Sequence, residues 1–220
     1  MFQAVRPYVD AAGIDDPVVC YQGAVVAEPA TGKFLRHVPI PLELAREALG
    51  SLDGWPVNCY VDDELYVAEH TEESRAYAGF QDIEVHAVGP LLDWLEEPPT
   101  KLVVVGEPTR LDGLEVEMKE RFGPRMFISK SLPFFLEFAN AEVSKGSGLA
   151  FLAEHLGFAQ ARTLGVGDGE NDRELLDWSG YAVAVENAHP SLLRRADLVI
   201  PGPDEEGVAQ LIESYLDSRR

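Results

Sequence analysis

Between Leu164 and Asp172 the chain reads LGVGDGEND. A short apolar strand runs into Gly167-Asp168-Gly169-Glu170-Asn171-Asp172, which sets three acids and an amide within five positions. In an open α/β sheet, ligands bind outside the carboxyl ends of the strands. Hard oxygen donors at such a place suit Mg²⁺, which takes one or two carboxylates and keeps waters for a phosphate. Gly167 and Gly169 allow a tight turn and a close approach of backbone to ligand. An EF-hand is excluded, because Arg173 follows Asp172 and the ligand spacing is wrong. A purely structural reading also fits: an acidic helix N-terminus, with Asp168 as cap and Glu170 favoured by the helix dipole.

Lys145 is the second candidate. It stands in Ser144-Lys145-Gly146-Ser147-Gly148, at the expected start of a helix. The helix dipole disfavours a cation there. That placement suggests an anionic partner, a phosphate or an acidic cluster; the alternative is an ordinary solvated lysine.

These residues need a scaffold, and the composition supplies one. The 220 residues are 46% apolar and 25% charged, an ordinary globular balance. A chain of this size can bury about 70% of its unfolded surface. Apolar runs such as Leu102 to Val105 are far too short for a bilayer, and MFQAVRPYVD has no signal-peptide core. The net charge is −20, from 38 acids against 18 Lys and Arg. So acidic a surface repels nucleic acid and anionic lipid, so neither is an expected partner. It reads as a well-solvated surface, with adaptation to high salt as the other reading. Cys20 and Cys59 sit in apolar, strand-like runs with no zinc-type spacing, so buried free thiols and a cytoplasmic location are expected.

Strand and helix patterns alternate throughout, which favours an α/β fold. A helix fits Phe2 to Ala12, closed by Gly13 but weakened by Pro7. Strands fit Pro17 to Tyr21, Ala24 to Ala27 and Phe34 to Val38, the last two as a hairpin. A helix fits Leu42 to Leu49. The middle of the chain carries strands at Val57 to Val61 and Leu65 to Ala68, turning at Asp62-Asp63, then a helix at Glu72 to Ala78. A strand at Ile83 to Val88 and a short helix at Leu91 to Leu95 follow. Beyond them come a strand at Lys101 to Gly106, a helix at Leu111 to Phe122, and strands at Arg125 to Ser129 and Phe134 to Phe138. From Ser144 the rhythm is doubly wound: Leu149, Leu152 and Leu156 share a helical face, and strands fit Thr163 to Val166, Tyr181 to Val185 and Leu198 to Ile200. Helices fit Arg173 to Trp178, His189 to Arg195 and Glu205 to Leu216.

Ser144-Lys145-Gly146, Gly167 to Asp172, Val183-Ala184-Val185-Glu186-Asn187-Ala188, Ala196-Asp197 and Glu206-Gly207-Val208-Ala209 occur in that order. Together they resemble the C-terminal half of a haloacid dehalogenase-superfamily phosphatase, of the Cof-like branch. Pro17 to Ala24 and the helix from Pro41 extend the resemblance through most of the chain. It implies a Rossmann-like core at 1–37 and 141–220, with an α/β cap inserted at 38–140. It implies Mg²⁺ as cofactor, bound by Asp168, with Asp172 holding the metal's waters or orienting Lys145. Lys145 would neutralise charge on the transferring phosphoryl group. Asn171 would hydrogen-bond the phosphate. The implied reaction is hydrolysis of small phosphorylated metabolites such as sugar phosphates, through an aspartyl-phosphate. A regulatory protein that binds phosphate or metal without turnover, and a phosphomutase relative, are the alternatives.

The family's attacking aspartate lies in Asp-x-Asp-Gly-Thr on its first strand, and a Thr-Gly-Arg commonly ends the second. Neither is present. Asp62-Asp63 and Thr31-Gly32-Lys33 read as turns and do not replace them, and Gln22 stands where relatives usually have Asn. The expectation is an N-terminally truncated chain, inactive alone, short of roughly 40 residues, about one strand–helix–strand unit. The absent strands would lie between the Pro17 strand and the Thr163 strand, leaving two sheet edges unpaired.

Overall fold

The computed structural model describes residues 1–218. It divides into two compact units, Met1–Val143 and Ser144–Arg220. In chain order the first unit holds α1 (Phe2–Ala12), β1 (Val18–Cys20), β2 (Val25–Ala27), β3 (Phe34–His37), α2 (Leu42–Ser51), β4 (Val57–Val61) and β5 (Glu64–Val67). It continues with α3 (Glu72–Gln81), β6 (Val85–Ala87), α4 (Leu91–Trp94), β7 (Lys101–Val105), α5 (Pro108–Phe122), β8 (Met126–Leu132) and β9 (Phe135–Asn140).

Six strands of this unit form one sheet, in the order β6-β5-β4-β7-β9-β8. Alternation gives it two faces. Cys59, Leu102, Val104, Leu136 and Phe138 point to one, where they pack with Ala45, Leu49, Leu111, Met118 and Phe122 from α2 and α5. Tyr60, Val103 and Phe135 point to the other, where they meet Tyr77 of α3 and Met1, Phe2, Tyr21 and Val25. Residues 1–37 therefore pack with this sheet. The discontinuous division implied by the resemblance joins them to 141–220 instead; here the apolar side chains of α1 and the β1–β2 segment are buried against β4, β7 and β9.

Local signals explain the element ends. Gly13 closes α1 in the left-handed conformation, and Pro7 is accommodated inside it. The β4–β5 hairpin turns on Asp62 and Asp63, both with positive φ. Asp63 is used further: its carboxylate accepts the Phe2 and Gln3 N–H groups at 2.9 and 2.8 Å and so caps α1. The turn reading of Asp62-Asp63 stands. α5 starts three residues earlier than its apolar pattern, because Pro108 suits the first turn and Glu107 accepts from the Thr109 and Arg110 N–H groups.

The second unit holds α6 (Lys145–Leu156), β10 (Leu164–Gly167), α7 (Arg173–Trp178), β11 (Tyr181–Val185), α8 (Pro190–Leu193), β12 (Leu198–Ile200) and α9 (Gly207–Asp217). Its sheet is parallel, in the order β10-β11-β12. Val183, Ala184, Leu176, Leu192 and Ile200 form its core. Among the described residues β10 pairs only with β11, and β1 only with β2. No helix among the described residues is long and apolar enough to cross a membrane. The fold is mixed α/β, as the alternating pattern implies.

Candidate functional site

The acidic loop leaves the carboxyl end of β10 and makes one 3₁₀ turn, Glu170–Asp172, before α7. Its geometry depends on Asp172, whose side chain is 5% exposed. One carboxylate oxygen accepts the backbone N–H groups of Asp168 and Gly169, at 3.0 and 3.1 Å. The other accepts from Lys145 Nζ. Burial alone would raise the Asp172 carboxyl; the Lys145 ammonium and the two N–H groups outweigh it and hold it below the usual carboxylate range.

Lys145 is the first residue of α6, after a capping box in which Ser144 and Ser147 exchange bonds. Its cost against the helix dipole is offset by Asp172. Two glycines permit the approach. A Cβ on Gly146 would lie 2.3 Å from the Glu174 carbonyl, and one on Gly167 would lie 2.5 Å from Asp172 Cβ. Any side chain at either place would push α6 from α7, or the strand from the loop.

Asp168 is exposed, and its carboxylate takes part in no hydrogen bond or ion pair given by the structure among the described residues. Asn171 is buried at the same turn, with its Oδ1 beside Gly169. Lys145, Asp168, Asn171 and Asp172 therefore gather at one end of one parallel sheet. His189 went unnoticed in the sequence. Its N–H donates to the Asp168 carbonyl at 2.8 Å and its ring lies 3.7 Å from Glu170. Nothing in its local sequence signals this, because the contact spans two strand ends.

No group of three or more His, Cys, Asp or Glu side chains among the described residues is placed to hold a metal. The donor set still fits Mg²⁺, which needs one or two carboxylates and fills its remaining positions with water and phosphate oxygen. Asp168 carries the disengaged carboxylate of this set. Asp172 has spent its oxygens on the loop and on Lys145, which suits an orienting role over direct ligation.

The doubly wound unit sets a lysine and a free carboxylate together at the ends of its strands, as an α/β protein of the open-sheet class does. The family model for haloacid dehalogenase-like hydrolases matches residues 1–212, and the chain belongs to that family. Two similar proteins bear the name "Putative phosphatase". One, from Streptococcus pyogenes, is 34% identical over 53% of this chain and 43% of its own length. The other, YxeH of Bacillus subtilis, is 27% identical over 96% of this chain and 81% of its own. The chain thus spans less than half of the first relative. A crystal structure from Thermotoga maritima superposes with a TM-score of 0.78 at 29% identity, covering 94% of this chain and 79% of that one.

Proposed function

We propose that this chain carries the metal- and phosphate-binding half of a Mg²⁺-dependent phosphomonoesterase site for small phosphorylated metabolites, sugar phosphates among them. The observation that carries the proposal is the Lys145–Asp172 contact beside the free Asp168 carboxylate. Asp168 would hold Mg²⁺, which when bound neutralises phosphate charge. Lys145, held by Asp172, would pair with a phosphate oxygen, and Asn171 would donate to another. The attacking aspartate of the family has no counterpart in the 220 residues. Hydrolysis is therefore proposed for the protein that carries that aspartate together with this half-site.

We also propose the core-and-cap division, 1–37 with 141–220 against 38–140. The whole six-stranded sheet lies within 38–140, which supports it. A cytoplasmic location is proposed from Cys20 and Cys59, both buried and unpaired.

Calorimetric titration of the chain with Mg²⁺ and inorganic phosphate tests the reading. Saturable binding of each is expected, with the Mg²⁺ signal lost in Asp168→Asn and the phosphate signal in Lys145→Met. Absence of both signals, or signals unchanged in the variants, sinks it. We keep a second reading, a regulatory protein that binds phosphate or metal without turnover. It predicts the same titrations and no phosphate released from any sugar phosphate.

A further inference from the structure

The acidic loop of the second unit is held from two sides, and only one of them belongs to the loop. On the first side Asp172 accepts the Asp168 and Gly169 N–H groups at 3.0 and 3.1 Å. On the second side the His189 N–H donates to the Asp168 carbonyl at 2.8 Å. His189 follows β11, so this bond joins the carboxyl ends of two neighbouring parallel strands. The Asp168 carbonyl and the Gly169 N–H belong to one peptide plane, which is therefore bonded at both edges. Glycine would otherwise leave that peptide free to flip. Asn171 closes a third approach, because a Cβ on Gly169 would lie 2.5 Å from its Oδ1. Asp168 thus has both backbone polar groups bonded, and its disengaged carboxylate is aimed by the main chain alone.

The His189 ring fixes the direction of its own N–H. Buried side chains anchor the turn after β11 at both ends, Ala188 before His189 and Leu192 after it. Between them α8 begins, and Pro190, its first residue, has no N–H. The first N–H that needs a partner is that of Ser191. It donates to His189 Nδ1 at 3.3 Å, and the Ser191 hydroxyl lies 2.8 Å from the same nitrogen. A backbone N–H only donates, so Nδ1 is the acceptor and the ring proton sits on Nε2. Nε2 faces Glu170 at 3.7 Å, but both side chains are exposed and that contact contributes little. The ring is therefore the N-cap of α8. The cap holds residue 189 in the non-helical backbone, φ −54° and ψ 139°, from which its N–H reaches Asp168.

We propose that His189 is a positioning residue for the Asp168 carboxylate: its ring caps α8, and the capped turn clamps the Asp168 carbonyl from the β11 side. The inference rests on the reading of Asp168 as the carboxylate that holds Mg²⁺. An ion held by one exposed carboxylate is sensitive to how well that carboxylate is placed beforehand, because a loose loop must be ordered as the ion binds. Groups that orient a metal ligand from behind typically matter ten-fold or more to affinity. Asp172 fills that role for the N–H side of Asp168, and it also holds Lys145. His189 fills it for the carbonyl side and touches neither Lys145 nor Asp172 in any hydrogen bond or ion pair given by the structure among the described residues. The two clamps therefore separate: one serves metal and phosphate together, the other serves the metal.

The test compares the full chain as wild type, His189→Ala and His189→Asn. Alanine removes the cap; asparagine, among the best N-caps, restores it without an imidazole. Mg²⁺ affinity, measured by calorimetry, should fall about ten-fold in His189→Ala and recover in His189→Asn. Affinity for inorganic phosphate, measured without Mg²⁺, should be the same in all three. Amide hydrogen exchange read by NMR should quicken about five-fold at Gly169 and at residue 189 in His189→Ala alone. Unchanged Mg²⁺ affinity in His189→Ala overturns the proposal. So does a parallel fall of Mg²⁺ affinity, phosphate affinity and Tm, the mark of general loosening, and so does a failure of asparagine to rescue. If the wild-type chain binds no Mg²⁺, the reading of Asp168 fails, and exchange then decides the clamp separately. Faster exchange in His189→Ala that His189→Asn reverses upholds it, and unchanged exchange overturns it.

Discussion

The molecule contains two lysine–carboxylate pairs, one in each unit, and they are built in opposite ways. Lys101 and Glu137 are each 7% exposed, and Glu137 accepts from Lys101, Gln22 and Ser131, which lie in three separate segments. In the other pair Asp172 is buried but Lys145 is 33% exposed, at the first turn of a helix. The first pair is closed on itself and saturates its carboxylate. The second keeps its cation reachable from solvent, with an unengaged carboxylate, Asp168, nearby in sequence. A closed pair fixes structure and local polarity; an open pair can trade its partner for a substrate anion. The same two side-chain types are thus built closed in one unit and open in the other, and burial makes the difference.

The comparison breaks most readily at the buried pair. Lys101→Met leaves Glu137 buried and uncompensated, and should cost about 3–5 kcal/mol in urea unfolding of the first unit. The double variant Lys101→Met with Glu137→Leu should recover most of that loss, because removing both charges is close to neutral. If the single variant unfolds no more easily than the double, the pair is not closed as described.

Acid sharpens the same contrast. Burial raises the Glu137 carboxyl, but Lys101, Gln22 and Ser131 outweigh it and hold it below the usual value of 4.5. A carboxyl lowered on folding contributes stability that is present above its unfolded value and lost as pH falls through its folded one. Unfolding of the wild-type first unit should therefore steepen below about pH 4.5. Glu137→Gln should flatten that limb, and unfolding monitored against pH by circular dichroism will show whether it does.

A glycine pair extends the comparison to backbone. Gly146→Ala places a Cβ 2.3 Å from the Glu174 carbonyl, and should cost the second unit about 1–3 kcal/mol while weakening phosphate binding. Gly113, in α5 of the first unit, has nothing within 4 Å of an added Cβ. Gly113→Ala should stabilise by about 1 kcal/mol through helix propensity. Thermal melts of both variants would separate close approach from propensity.

Much of this was readable along the chain. The doubly wound rhythm after Ser144, the hairpin at Asp62-Asp63 and the glycine end at Gly13 all follow from local patterns, and each is present. Lys145 and the acidic loop were singled out by residue type, and the structure brings them into contact. Lys101 and Glu137 escaped notice for a physical reason. Each sits at an inward register in an otherwise apolar strand, and 36 residues separate them, so neither strand alone shows that its charge is paired. Likewise, the packing of α1 against β4 and β7 depends on side chains far apart in sequence, Phe2 sharing one core with Tyr60 and Val103. Periodicity reports which face is apolar and is silent on what covers it.

The smallest stability effect belongs to the residue with the largest expected functional effect. Asp168 is exposed and, among the described residues, no hydrogen bond of its carboxylate supports the loop; the Asp168 contacts that do so are its backbone N–H to Asp172 and its carbonyl from His189. Asp168→Asn keeps both backbone contacts, so its Tm should stay near wild type, within about 0.5 kcal/mol. Lys145→Met should cost more, about 1 kcal/mol, since Asp172 loses one partner but keeps two N–H groups. Mg²⁺ binding should nevertheless fall further in Asp168→Asn than in Lys145→Met. If instead the two losses rank together, stability and Mg²⁺ affinity moving in parallel, then Asp168 acts by holding the loop and the open pair has no ligand beside it. A well-folded Asp168→Asn that no longer binds Mg²⁺ separates the two roles, because only a group that carries no structural duty can be lost so quietly.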